Sequence, residues 1–102
     1  MGSLDVLYRL MNDYGADWPF WQDDGLSPTD TPALPPDVSD AALAWAAEFQ
    51  AHYSYESGWP TEAAARKHER QGRNLLKLVE RTLTLEDSVQ LDYWETNWRK
   101  GL

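Results

Sequence analysis

The clearest strand in the sequence is Val89-Gln90-Leu91-Asp92-Tyr93-Trp94, and it constrains how the rest of the chain can fold. Apolar and polar residues alternate along it with a period of two, and valine, tyrosine and tryptophan favour an extended backbone. An isolated strand leaves its backbone N–H and C=O groups without partners. A second segment must therefore pair with residues 89–94.

The best partner is the segment from Leu4 to Met11, although it fits two patterns. As a helix it would gather its apolar residues on one face and end at Gly15. As a strand it would turn Val6, Tyr8 and Leu10 to one side. We interpret it as a strand because no other segment is a better partner for the C-terminal strand.

Two helices are predicted between these strands. The second has Thr61 as its N-cap and runs to about Leu83. Gly72 lies on its apolar face, and because glycine weakens a helix, we expect it to give room to a bulky neighbour such as Trp45. The first helix runs from about Pro36 to about Tyr55, with an apolar stripe at helical spacing formed by Val38, Ala42, Trp45, Phe49 and Tyr53.

These elements predict an α+β fold of order β-α-α-β. Two antiparallel helices, residues 36–55 and 61–83, pack on a small sheet formed by the N- and C-terminal strands near residues 5–11 and 88–94. Because a two-stranded sheet is marginal, Trp18 to Trp21 is a candidate for a short extension. Residues 22–35, rich in Asp, Gly, Ser, Thr and Pro, are expected to form a connecting loop. We expect residues 1–102 to make a single domain.

Charge is distributed unevenly along the chain. Residues 1–60 contain ten acidic residues and one basic residue, Arg9, for a net charge of −9, whereas residues 61–102 contain seven acidic and eight basic residues, for +1. The overall charge of −8 repels phosphate, so we expect no nucleic-acid partner. Apolar runs are too short to span a membrane, and charges at Asp5 and Arg9 interrupt any signal-like start. With no cysteine, a cytoplasmic protein without a membrane partner is expected.

Residues that would support catalysis are scarce. The six glycines are too scattered for a phosphate-binding loop, and no Gly-x-Ser-x-Gly motif occurs. We therefore predict no catalytic residues, no cofactor and no metal.

A metal-dependent hydrolase is the alternative, with Glu48, His52 and Glu56 on one helical face and His68 on the next helix. Exposed Glu and His at this spacing more often form a solvated face. His68 lies among apolar positions, where a hydrogen-bonded structural histidine is the more common case.

The second helix also carries a basic ridge. Glu62 and Glu69 precede two of its arginines by four residues, so we expect ordinary exposed ion pairs there. The ridge can instead meet the acidic face of a second copy, which leaves a structural homodimer as a further alternative. Its members are Arg66, Arg70, Arg73, Lys77 and Arg81.

The strongest functional candidate is the aromatic and acidic segment around residues 14–24. Its aromatic residues either fill the core or anchor a partner, and alternation would turn Trp18 and Phe20 away from Trp21. Aromatic anchors flanked by carboxylates suit a basic protein partner, whose association the carboxylates would accelerate. The predicted partner-binding residues are Tyr14, Asp17, Trp18, Phe20, Trp21, Asp23 and Asp24.

Several parts of the chain resemble a group of small acidic actinobacterial proteins. The likeness is carried by the run Asp13-Tyr14-Gly15-Ala16-Asp17-Trp18-Pro19-Phe20-Trp21, the helix core from Ala44 to Phe49, the Gly58-Trp59 turn and the strand from Val89 to Trp94. That group has no established activity, so the resemblance implies the β-α-α-β fold and no catalytic residues. In size and acidity the chain also resembles toxin-immunity proteins. We therefore predict a non-catalytic protein-binding domain, an immunity-type inhibitor that masks a basic site on a toxin or effector.

Overall fold

The computed structural model describes residues 6–84 and 86–99. Two helices pack against one mixed sheet with the strand order β3-β2-β1-β4. The α+β class is confirmed, but the predicted order β-α-α-β is incomplete because two further strands precede the helices. The elements in chain order are β1 (Leu7–Leu10), β2 (Phe20–Gln22), β3 (Gly25–Leu26), α1 (Pro36–His52), α2 (Glu62–Thr82) and β4 (Ser88–Leu91).

The predicted pairing of the two terminal strands is present, with β1 inside the sheet and β4 at its edge. β1 pairs with β4 in parallel, with Leu7 opposite Ser88 and Leu10 opposite Leu91. A parallel pair needs a long connection, and here β2, β3 and both helices lie between the two strands. Leu4 and Asp5, which the sequence assigned to the first strand, lie outside the described residues.

A β-hairpin replaces the start of the predicted connecting loop. The expected extension near Trp18 to Trp21 is present as β2, which pairs antiparallel with β1. Gln22 then pairs with Gly25, which leaves Asp23 and Asp24 as a two-residue turn. Gly25 has φ +123°, a conformation that favours glycine. The loop prediction is therefore wrong at Gln22, Gly25 and Leu26. Strands of two or three residues are too short to show alternation.

The helices follow the apolar stripes that predicted them. α1 has a proline in its first turn and ends at His52, earlier than the predicted Tyr55. The side-chain oxygen of Thr61 accepts a hydrogen bond from the Ala64 N–H at 3.0 Å, so Thr61 is the N-cap of α2 as predicted.

Trp45 of α1 lies across α2 at Gly72, as the sequence predicts. A Cβ atom on residue 72 would lie 2.6 Å from Cζ2 of Trp45, closer than packed carbons approach. The Trp45 indole N–H donates to the His68 carbonyl at 2.9 Å. Glu48 lies about one turn after Trp45 on α1, and it contacts His68, which lies about one turn before Gly72 on α2. The two helices therefore run in opposite directions.

The core consists of two adjoining clusters. The larger one lies between the sheet and the helices and includes Trp18, Phe20 and Trp45. The opposite face of the sheet is open, since Leu7 is 47% exposed. The smaller cluster packs where α1 ends and α2 begins, and it consists of Phe49, Tyr53, Trp59 and Ala65.

Candidate functional site

The predicted partner-binding residues divide between the core and the surface. Trp18 is 2% exposed and Phe20 is 0% exposed, and both pack into the larger core cluster. Alternation turns them to the same side of the hairpin, as predicted, but that side faces the helices. The expectation that these two rings are available to a partner is therefore corrected.

The other residues of the hairpin do not join the rest of the predicted site. Trp21 is half-buried, and its indole N–H donates to the Met11 carbonyl at 2.9 Å. Asp23 and Asp24 are exposed, but they form the turn at the far end of β2. At about 3.4 Å per residue, this turn lies roughly 10 Å along the strand from Phe20, where the loop containing Tyr14 ends. The predicted surface therefore separates into two parts.

Tyr14 and Asp17 are exposed on the loop between β1 and β2. Tyr14 lies in a tight turn in which the Ala16 N–H donates to the Asp13 carbonyl at 3.1 Å. Gly15 has φ +79°, so the turn favours glycine there. The Gln50 amide of α1 holds this turn by donating to the carbonyls of Asp13 and Ala16 and accepting from the Gly15 N–H. The turn is thus fixed to the helix beneath it.

Four aromatic rings from distant parts of the chain meet at this turn, and we call them the aromatic platform: Tyr14, Phe49, Tyr53 and Trp94. The Tyr14 ring centroid lies 5.3 Å from Phe49 and 5.7 Å from Trp94, and Tyr53 lies 5.6 Å from Trp94. Phe49 and Tyr53 are buried, whereas Tyr14 is 49% exposed and Trp94 is 38% exposed. The platform therefore has a buried base and an exposed upper edge.

Sequence reasoning identified Tyr14 but missed Trp94. Trp94 was assigned to the C-terminal strand, which in the structure ends at Leu91. Its indole N–H donates to the Asn12 carbonyl at 2.7 Å, which fixes the ring beside Tyr14. One signal in the sequence could have indicated Trp94. Residues 92–95 and 13–18 both contain a tryptophan next to an acidic residue, Trp94 beside Glu95 and Trp18 beside Asp17.

The surroundings of the platform are acidic. Its rings come from residues 10–65 and 82–98, and neither range contains a lysine or an arginine. Asp13 lies next to Tyr14, and Asp17 follows three residues later on the same loop. Partial burial raises the pKa of the Tyr14 hydroxyl above its usual value, and the neighbouring Tyr53, Asp13 and Glu95 raise it further. The charged groups that act on the Tyr14 hydroxyl are therefore acidic.

A polar cluster centred on His68 lies in the interior near the platform. His68 Nδ1 is 2.9 Å from Glu48 Oε1, and His68 Nε2 is 3.1 Å from Asn12 Nδ2 and 3.4 Å from Glu95 Oε2. The ring stacks on Trp45 with a centroid distance of 4.7 Å. His68 is therefore a buried, hydrogen-bonded structural histidine, as predicted. From α2 it contacts Asn12 in the loop after β1, Glu48 of α1 and Glu95 in the C-terminal segment.

The structure brings together only two of the four residues considered for a metal site. Glu48 contacts His68, whereas His52 and Glu56 are exposed, and within the described residues no hydrogen bond joins them to that pair. Within residues 6–84 and 86–99, no group of three or more His, Cys, Asp or Glu side chains could hold a metal ion.

The basic ridge of α2 is partly neutralised by its own helix. Arg66 pairs with Glu62 and Arg73 pairs with Glu69, as the i,i+4 spacing predicts. Both pairs are exposed, so each contributes little stability. None of the helices in the described part of the chain has the length and apolar character needed to cross a membrane.

Comparison with known families shows where this chain belongs. The family model described as Serratia CdiI immunity protein-like matches residues 7–96, which include every helix and strand and all four rings of the aromatic platform. A search of curated proteins found no match. The resemblance to immunity proteins is thus shown, whereas the resemblance to an actinobacterial group stays a prediction. Because the match spans most of the chain, this protein belongs to the Serratia CdiI immunity protein-like family.

Proposed function

We propose that this protein is a non-catalytic inhibitor that binds a toxin and masks a basic site on it. The family match over residues 7–96 is the observation that carries this proposal, because an immunity protein acts by binding its toxin. The basic character of the site on the toxin is our inference from the charge of this chain.

The acidic side chains in the first sixty residues support a basic site on the toxin. Asp17, Asp23 and Asp24 are exposed. Within the described residues, the ion pairs that involve an arginine are Arg66 with Glu62 and Arg73 with Glu69, both inside α2. The carboxylates of the acidic half are therefore not neutralised by the basic ridge. An unneutralised acidic surface attracts a basic protein and accelerates its association.

The burial of the His68 cluster supports a non-catalytic role. His68 and Glu95 are fully buried, and the indole rings of Trp45 and Trp59 lie against the imidazole. The Glu48 side chain at its edge is 30% exposed, but a substrate could reach the imidazole only if the packing around the ring opened. The cluster is therefore better suited to stabilising the fold than to proton transfer on a bound substrate.

Capture from a lysate of the native host tests this proposal. We expect the immobilised protein to retain a basic protein at low salt, identified by mass spectrometry, and to lose it as the salt concentration rises. An unrelated acidic protein of equal net charge is the control for simple ion exchange. Expression of the captured protein alone should stop growth, and coexpression with this chain should restore it. Retention no better than that of the control, or growth arrest that persists on coexpression, would contradict the proposal.

A further inference from the structure

We infer that the aromatic platform is an anchor site that receives an arginine or lysine side chain of the toxin. The inference rests on the proposed function for the identity of the partner. The chemistry of the bound group, a cationic side chain lying against Tyr14 and Trp94, is argued from the structure alone.

The geometry of the two exposed rings suits a cation. Tyr14 and Trp94 meet at 63° with their centroids 5.7 Å apart, so they form two walls of a corner. Phe49 and Tyr53 close its base, each 5.5–5.6 Å from Trp94. The faces of tyrosine and tryptophan carry negative electrostatic potential and attract a guanidinium or ammonium group within about 6 Å. The exposed parts of Tyr14 and Trp94 offer aromatic surface to the cation and apolar contact for its aliphatic stem.

The walls of the corner are fixed before any partner arrives. Gln50 makes three hydrogen bonds to the turn that presents Tyr14. The Asn12 carbonyl holds the Trp94 indole at 2.7 Å. Two exposed aromatic residues held in this way lose little conformational entropy on binding, which is a property of strong interface anchors.

The charged groups that act on Tyr14 are acidic, which favours a cation over an anion. No lysine or arginine occurs in residues 10–65 or 82–98, from which the four rings come. Asp17 is exposed on the same loop as Tyr14. Burial is the main cause of the raised pKa of Tyr14, and the neighbouring Tyr53, Asp13 and Glu95 raise it further.

The open face of the sheet is the main competing surface. It exposes Leu7 and Leu26 and half-exposes Trp21. Arg9 lies directly opposite Trp21 on this face, so it already places a positive charge beside the largest ring. A basic partner is therefore better matched to the aromatic platform than to this face of the sheet.

A peptide probe tests the chemistry without knowledge of the toxin. Blocked Ala-Arg-Ala and its neutral counterpart, Ala-citrulline-Ala, are titrated into the ¹⁵N-labelled protein. We expect the arginine peptide to shift the Trp94 indole N–H and the Gly15 amide in a saturable way, and the citrulline peptide to leave them in place. Equal shifts with both peptides, or shifts confined to Asp23 and Asp24, would overturn the inference.

Variants of Tyr14 test the same site with the toxin captured from the host. Tyr14→Ala should weaken binding by roughly 30-fold, the loss typical of an interface hot spot. Tyr14→Phe keeps the aromatic face and should bind as the wild type does, whereas Tyr14→Leu keeps the apolar volume without the face and should bind weakly. Tyr55→Ala is the matched control, because Tyr55 is 80% exposed and lies outside the platform. Thermal unfolding of each variant verifies that it is folded.

The outcomes separate this inference from the proposed function. If the wild type neutralises a toxin but Tyr14→Ala binds it as tightly as Tyr55→Ala does, the platform is not the anchor and the proposed function stands. If no toxin is captured but the arginine peptide binds at the platform, the cation site stands and the proposed function fails.

Discussion

Replacement of Gly72 by alanine tests the packing of the two helices most sharply, because two effects of opposite sign compete there. Alanine in the middle of a helix is about 1 kcal/mol more favourable than glycine. The added Cβ would lie 2.6 Å from Cζ2 and 3.1 Å from Cε2 of Trp45, so the indole ring must move by about 1 Å to reach ordinary carbon contact. That movement acts on a ring that is 4% exposed and stacked on His68.

We expect the steric effect to win. Overpacking of a filled core costs about 1–3 kcal/mol, and weakening of the hydrogen bond from the Trp45 indole to the His68 carbonyl adds about 1 kcal/mol. After the gain in helix propensity, the Gly72→Ala variant should lose about 1–3 kcal/mol of unfolding free energy. Since the chain is close to 100 residues long, this corresponds to a fall in Tm of roughly 5–15 °C.

Urea denaturation followed by tryptophan fluorescence measures this loss. Asn74→Ala, at an exposed position of the same helix, is the control and should keep or slightly raise stability. In a Trp45→Phe background the ring atom that clashes is absent, so the added cost of Gly72→Ala should vanish or change sign. A Gly72→Ala variant as stable as the wild type would refute the close contact between Trp45 and α2.

Further predictions concern the core and its response to pH. Trp45→Ala should cost about 3–5 kcal/mol in urea denaturation, enough to unfold much of a marginal protein; an unchanged midpoint would remove Trp45 from the core. His68→Ala should cost a similar ~3–5 kcal/mol because it leaves Glu95 buried without the ring, whereas the exposed His52→Ala should change stability by less than about 0.5 kcal/mol. Burial, aided by Glu95 and Glu69, raises the pKa of Tyr93, so the unfolded chain loses that proton at lower pH than the folded protein does. Stability should therefore fall as pH rises above about 10, and Tyr93→Phe should flatten this fall in pH-dependent thermal unfolding; an equal slope in both proteins would rule out Tyr93 as its source.

Local patterns in the sequence were sufficient for the helices and for the C-terminal strand, whose need of a partner then indicated the first strand. The apolar stripe and the Thr61 cap predicted α1 and α2, and Gly72 indicated the contact with Trp45. The first strand was chosen over a helix because the C-terminal strand needed a partner, and β1 does pair with β4. Non-local backbone pairing can thus be inferred where a segment has only one possible partner.

The rest of the fold and the site depended on information that a local pattern does not hold. β3 has two residues, too few to show a period, although the turn residues Asp23, Asp24 and Gly25 were a hairpin signal. Trp18 was judged by its acidic neighbours, but it precedes β2 and packs beside Phe20 in the larger core cluster. The platform joins Tyr14 to Trp94, eighty residues further along the chain, so only the folded structure reveals it.

The stoichiometry of toxin inhibition tests the central claim most directly. Purified protein is titrated against a fixed amount of the captured toxin, and the residual toxin activity is measured at each ratio. A non-catalytic inhibitor should abolish activity at one molecule per toxin, and active toxin should return when high salt or denaturation and refolding separates the complex. Complete inactivation at ratios far below one to one, with no recovery of active toxin after separation, would show that the protein modifies its target and would contradict the account.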